Sequence, residues 1–187
     1  RDIYFDTYRC GYDGGAGLQL RERRPETDYL LDGVFGVCSR NIDLKETEGN
    51  AFWDTARKYD IENKMRKVFG EKNVALQGEL IGPGIQSNIY KLNQCEYHVF
   101  DIFYAETGQY VLPKDRRELV SEMGLKHVPV LDNEYVINGT LDDILNYAEG
   151  KSVLNQSQER EGVVFKQIDG GLTFKAISNR YLIKSGN

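Results

Sequence analysis

Long apolar runs are missing from this sequence. Nowhere do about 18 hydrophobic residues follow one another, which argues against a membrane-spanning helix. Cysteine is scarce: Cys10, Cys38 and Cys95 are widely spaced along 187 residues. An odd, scattered set of this kind suits neither a disulfide framework nor a zinc site, and fits a reducing compartment. The opening Arg1-Asp2-Ile3-Tyr4 has no charged start followed by an apolar stretch, so the expectation is an intracellular, cytoplasmic protein. Proline is rare, with four in the chain, and no linker, repeat or low-complexity tract stands out. Positive charge is not in excess either. With a formal net charge of −5, contact with a nucleic-acid backbone would need a local cluster of Lys and Arg. The two histidines, His98 and His127, lie too far apart in sequence to suggest a metal pair.

What is present points to a globular protein of mixed structure. The length suffices for one domain with a buried core, and 12 tyrosines with 8 phenylalanines favour strands. Apolar alternation predicts short strands near Gly17–Arg21 and Val34–Ser39, joined by the polar, proline-bearing segment Glu22–Asp32. Between about Gly49 and Gly70 the spacing becomes helical, with Phe52, Ala56 and Tyr59 on one stripe and Ile61, Met65 and Val68 on another. Strands are expected again at Val74–Leu80 and Tyr97–Tyr104. Helices follow at Pro113–Gly124 and Thr140–Gly150, the second opened by Thr140 as cap. The tail returns to strands at Gly162–Gln167 and Leu172–Ile177 around the turn Asp169-Gly170-Gly171. The fold class expected is α+β, with mainly antiparallel sheets and flanking helices.

Four segments place charge and glycine where an apolar strand would be satisfied without them. In Gln77-Gly78-Glu79-Leu80-Ile81-Gly82-Pro83-Gly84, a carboxylate precedes a turn that lets backbone approach a ligand closely. His98-Val99-Phe100-Asp101-Ile102-Phe103 sets an acid inside an apolar strand, which is costly unless that acid is paired. Arg160-Glu161-Gly162-Val163-Val164-Phe165-Lys166 has an acid before a buried-looking strand and a lysine at its end. Leu172-Thr173-Phe174-Lys175-Ala176-Ile177-Ser178-Asn179 carries a lysine within another. Carboxylates suit a hard cation such as Mg²⁺ and strand lysines suit phosphates, so the set could bind a nucleoside triphosphate with its metal.

These segments resemble motifs of the covalent nucleotidyltransferases, which include RNA ligases, DNA ligases and capping enzymes. The likeness is nearest to the RNA-ligase branch with an N-terminal OB domain, the branch of the Deinococcus and Naegleria enzymes. It runs from about Gly11 to the C-terminus. Gly-Glu79-Leu looks like the family's third motif, and Phe100-Asp101 like the adenine-stacking segment after it. Glu161-Gly162-Val163-Val164 looks like the fourth motif, and Phe174-Lys175-Ala176-Ile177-Ser178-Asn179 like the fifth. Phe35-Gly36-Val37-Cys38-Ser39-Arg40-Asn41 is similar to the segment whose arginine contacts the reacting groups. Each motif alone is weak; their order and spacing carry the resemblance.

The resemblance implies a nucleotidyltransferase (ATP-grasp-like ligase) domain over residues 1–187, with a nucleotide cleft and the OB domain absent. It implies ATP with Mg²⁺ or Mn²⁺ as cofactors, nicked duplex RNA or an RNA–DNA hybrid as substrate, and a monomer. Family enzymes attack the α-phosphate of ATP with the lysine of a Lys-x-Asp-Gly turn. The AMP then passes to a 5′-phosphate, from which the 3′-hydroxyl displaces it. By this likeness Lys175, Glu161 and Arg40 are catalytic. Glu79, Phe100, Lys166, Lys175 and Arg40 bind the nucleotide, and Glu161 and Glu79 are candidates for the metal.

One departure stands against the matches. Gly11-Tyr12-Asp13-Gly14 sets Gly11 where the nucleophilic lysine is expected, and no lysine precedes Lys45. Glycine has no side chain with which to attack phosphorus. An inactive nucleotide- or RNA-binding pseudo-ligase is therefore an alternative, as is a capping-type guanylyltransferase or DNA ligase. Plainer readings stay open residue by residue. Phe100 fits a core, Asp101 fits a structural acid paired with an arginine, and Lys166 and Lys175 fit strand lysines with exposed amines. Arg40 fits a pair with Asp43 or Glu46, and Glu79 a solvated strand end.

Overall fold

The computed structural model describes residues 2–5, 24–39, 42–85 and 87–185. Along the chain come β1 (Asp2–Phe5), β2 (Arg24–Leu31), β3 (Val34–Ser39) and β4 (Asp43–Leu44), then helices α1 (Ala51–Lys58) and α2 (Ile61–Phe69). Next are β5 (Val74–Ile81), β6 (Glu96–Tyr104), β7 (Gln109–Tyr110), α3 (Pro113–Glu122), β8 (Lys126–His127) and β9 (Val130–Asp132). Helix α4 (Leu141–Ala148), β10 (Gly162–Lys166), β11 (Thr173–Ile177) and α5 (Asn179–Ser185) complete the order. The class is α+β, and among the described residues the strands pair antiparallel except β6 with β8. Among the described residues, no helix is long and apolar enough to cross a membrane.

The chain divides into two compact units, residues 9–111 with 115–127, and residues 1–8 with 112–114 and 128–187. The first holds a sheet in the order β4-β3-β2-β5-β6-β7, with β8 alongside β6. Its apolar face carries Leu76 and Leu80 of β5 and Val99 and Ile102 of β6, packed with residues from α1 and α2. Asn50 caps α1 by accepting from the Phe52 amide at 3.1 Å, and α1 buries Phe52, Trp53 and Ala56. Asp60, in the left-handed region at φ 53°, breaks the helical stretch, after which α2 buries Ile61, Met65 and Phe69. Tyr59 and Val68, expected on these stripes, are half-buried at their edge.

The second unit holds a sheet in the order β11-β10-β1-β9. Its small core combines Val163, Phe165 and Ala176 with Ala148 of α4. Thr140 opens α4 as expected and goes further, forming a reciprocal capping box with Asp143. Proline at the first position starts α3, where its missing N–H costs nothing.

The segment Glu22–Asp32 is not a connection. From Arg24 onward it is β2, which lies between β3 and β5 inside the larger sheet. Its proline and charges argue for a loop, yet the Asp32-Gly33 turn, with φ of 50° and 78°, closes a two-residue hairpin onto β3 and fixes the register. The expected strand Gly17–Arg21 lies outside the described residues.

Strand β2 therefore directs Glu26 and Asp28 at the core face beside Leu30, and both acids are wholly buried. None of their carboxyl oxygens has a hydrogen-bond partner of normal geometry among the described residues. Burial pushes Asp28 up to about 8, with the Tyr97 hydroxyl offsetting only part of the effect. Burial, then the charges of Asp28 and Cys95, raises Glu26 well above the carboxylate range. Folding thus holds protons that the unfolded chain releases above its ordinary carboxylate pKa. The contribution of these two acids to stability is fully present below the ordinary carboxylate range and is lost as pH rises toward 8. In urea titrations followed by Trp53 fluorescence, D28V should gain stability relative to the parent as pH rises from 5 to 8. Its midpoint should also depend less on pH between 5 and 8; equal slopes for the two proteins would count against neutral buried acids.

Candidate functional site

Within the first unit, the pairing of β5 with β6 selects which side chains share a face. Gly78 faces Val99 and Leu80 faces Tyr97 on the core side, whereas Glu79 registers with His98 on the other. Glycine is required at 78, because a Cβ there would lie 2.4 Å from the Tyr97 ring and 2.7 Å from the His98 carbonyl oxygen. The Tyr97 ring thus lies across Gly78, and its hydroxyl donates to the Leu76 carbonyl at 2.9 Å. Glu79 is buried, not a solvated strand end, with 3 % of its surface exposed.

His98 Nε2 lies 2.8 Å from Glu96 Oε2, and Lys126 on β8 holds Glu96 Oε1 at 2.7 Å. Burial acts to raise the Glu96 carboxyl, but the Lys126 ammonium and the His98 imidazole prevail and hold it below its usual range. The register of β5 with β6 is irregular between Gln77 and Gly78, stepping from Val99 to Asp101 and leaving Phe100 as the extra residue of a bulge. Phe100 is buried. Asp101 meets Arg116 of α3 at 3.0 Å, both side chains almost fully buried, so the acid in the apolar strand has the arginine it requires. Arg116 is a residue the sequence did not single out. Its only signal was the unmet need of Asp101, which named an arginine as partner without saying which.

The second unit presents a different set. On β10 and β11, Val163 pairs with Ala176 and Phe165 with Phe174, with the two phenylalanine rings stacked at 4.7 Å. Alternation sends Lys175, opposite Val164, and Lys166, opposite Thr173, to the other face of the hairpin. Lys175 pairs with Glu161, its side chain 16 % exposed and that of Glu161 4 %; Lys166 is 7 % exposed. These are not lysines with amines in water. Glycine at 162 admits β11, since a Cβ would lie 2.1 Å from the Ala176 carbonyl oxygen. Each of the two candidate acids is thus placed beside a glycine over which a neighbouring strand closes.

Gly11 and Arg40 lie outside the described residues. Of the acids weighed as partners for Arg40, Glu46 is held by Arg57 at 2.6 and 2.8 Å and Asp43 accepts from the Tyr29 hydroxyl at 3.0 Å. Among the described residues no group of three or more His, Cys, Asp or Glu side chains is set to enclose a metal. A hard divalent cation completed by phosphate oxygens needs only one or two carboxylates, so Glu79 and Glu161 still fit that role singly.

A sequence model described as RNA ligase matches residues 15–184. No curated protein matches the chain. Among solved structures, a lysine-to-alanine variant of Naegleria gruberi RNA ligase with ATP and Mn is 37% identical, covering 98% of this chain and 51% of that one at a TM-score of 0.83. The same enzyme with PPi matches at 37% identity and a TM-score of 0.85, covering 99% of this chain and 51% of that one. Other matches include alanine variants of a glutamate, with AMP and Mn, and of a lysine, with ATP and Mn. The chain spans about half the length of these proteins.

The fit of β11 against Gly162 is directly testable. The G162A substitution forces its methyl against backbone that has no side chain to move, and should cost about 1–3 kcal/mol. Thermal unfolding by far-ultraviolet circular dichroism checks this; an unchanged midpoint would show that β11 can draw back from β10.

Proposed function

The chain belongs to the RNA ligase family, and we propose that it forms the nucleotide-handling part of an ATP-dependent enzyme that joins 3′-hydroxyl and 5′-phosphate ends of RNA. The observation that carries this reading is the pair of lysines on one face of the β10–β11 hairpin, one of them held by Glu161. A strand face carrying two cations suits the oxygens of a polyphosphate. Glu161 and Lys175 are fourteen positions apart, the separation of the glutamate and lysine replaced in the Naegleria gruberi enzyme.

In this reading Lys175 and Lys166 take the phosphates, Phe100 stacks on adenine, and Glu79 accepts from the ribose hydroxyls. Arg40 would hold a phosphate bidentately. Glu161, with Glu79 as a second candidate, supplies carboxylate oxygen to Mg²⁺ or Mn²⁺, which when bound neutralises charge on the phosphates. Phosphoryl chemistry asks little covalent work of the protein beyond such positioning. Nicked duplex RNA or an RNA–DNA hybrid is the substrate class.

The nucleophile is a separate matter. With Gly11 in the motif position and no lysine before Lys45, there is no side chain there to carry AMP. The chain as written binds ATP with its metal and does not adenylylate itself. Sealing, where it occurs, starts from a strand that already carries 5′-AMP, so that only the attack of the 3′-hydroxyl remains.

Intact mass after incubation with ATP and Mg²⁺ should be unchanged, and a gain of one AMP would refute the loss of self-adenylylation. ATP binding by calorimetry should weaken about tenfold or more in K175A and in E79A, the scale of losing a hydrogen bond to a charged group. Full affinity in both variants would remove the nucleotide reading. The restored variant G11K separates the two forms of the reading: a gain of AMP marks a disabled ligase, and binding without it marks a pseudo-ligase.

A further inference from the structure

We propose that Arg116 is a positioning residue for the adenine-stacking ring, holding Phe100 through both flanks of its bulge without touching the nucleotide. This rests on the reading of Phe100 given above. A bulge bends its strand and re-aims the side chain at the extra residue, so the aim there depends on what anchors the residues on either side. On one side, Asp101 receives Arg116 Nη1 at 3.0 Å. On the other, Val99 registers with His127 of β8, and His127 Nε2 receives Arg116 Nε at 3.3 Å. One guanidinium therefore ties together the residue after Phe100 and the strand that pairs with the residue before it.

The planar fork matters more here than the charge. Asp101 and His127 are met by different nitrogens of the same rigid group, which fixes the angle between them; an ammonium on a flexible stem cannot do this. Arg116 is among the largest fully buried side chains of the chain, with 1% of its surface exposed. A buried ion pair of this kind adds little net stability over an apolar filling, while it does restrict geometry. The bulge, the pair and the β6–β8 contact thus form a closed loop around the backbone of Phe100.

The experiment compares the affinity of the whole chain for ATP with Mg²⁺ and for inorganic tripolyphosphate with Mg²⁺. The ratio of the two reports the contribution of the adenosine end alone. F100A should lower that ratio about tenfold, the scale of losing one base–aromatic stack. R116K should lower it comparably, with tripolyphosphate affinity within about twofold of the parent. The double variant D101L/R116M, which leaves no buried charge stranded, should fold and show the same loss. If F100A lowers the ratio while R116K and the double variant keep the parental value, the positioning role is refuted. A parent that prefers ATP no more than tripolyphosphate, or an F100A variant that keeps the preference, would instead remove the stacking role of Phe100 on which this proposal rests.

Discussion

The antiparallel pairing of β5 with β6 is the constraint on which the larger unit depends. It sets Leu76, Leu80, Val99 and Ile102 into the apolar core, and the same register places Glu79 opposite His98 on the other side. A slip by one residue would exchange the two faces, sending Glu79 into the core and Leu80 out of it. The hydrophobic core therefore specifies the chemistry-bearing face without touching it. Gly78 secures this arrangement, since its missing side chain is the space that the Tyr97 ring occupies.

Buried charge is treated in two ways in this unit. Asp101 and Arg116 are inside together, and each supplies what the other needs. Among the described residues no cation holds Glu26 or Asp28, and burial favours the neutral acid of each. Both pairs bear the cost of taking charge out of water, and the presence of a counter-charge decides whether a carboxyl stays ionised or takes up a proton. Tyr97 stands beside the acid pair, and its hydroxyl is raised by burial first and then by those two carboxyls.

The smaller unit shows the same division of labour on fewer strands. Phe165 and Phe174 stack on one face of the β10–β11 hairpin, and alternation turns Lys166 and Lys175 to the other. Family membership and the nucleotide reading meet at this hairpin, where an acid, a glycine, a buried strand and two lysines occur within a short span. Ion pairing with Glu161 gives Lys175 a defined position.

Much of this was legible in the residues themselves, because period and turn chemistry are local. Alternation located β5, β6, β10 and β11, helical spacing located α1 and α2, and Thr140 with Asp143 marked the start of α4. The order of the acid- and lysine-bearing segments gave the family. The tertiary structure decided the rest. It made a central strand of Arg24–Leu31, whose proline and charges argue locally for a loop, because two flanking strands supply its hydrogen bonds. It chose Arg116 for Asp101 and Glu161 for Lys175, and it set Phe100 at a bulge. Partners and register depend on which segments lie side by side, and no window of sequence contains that information.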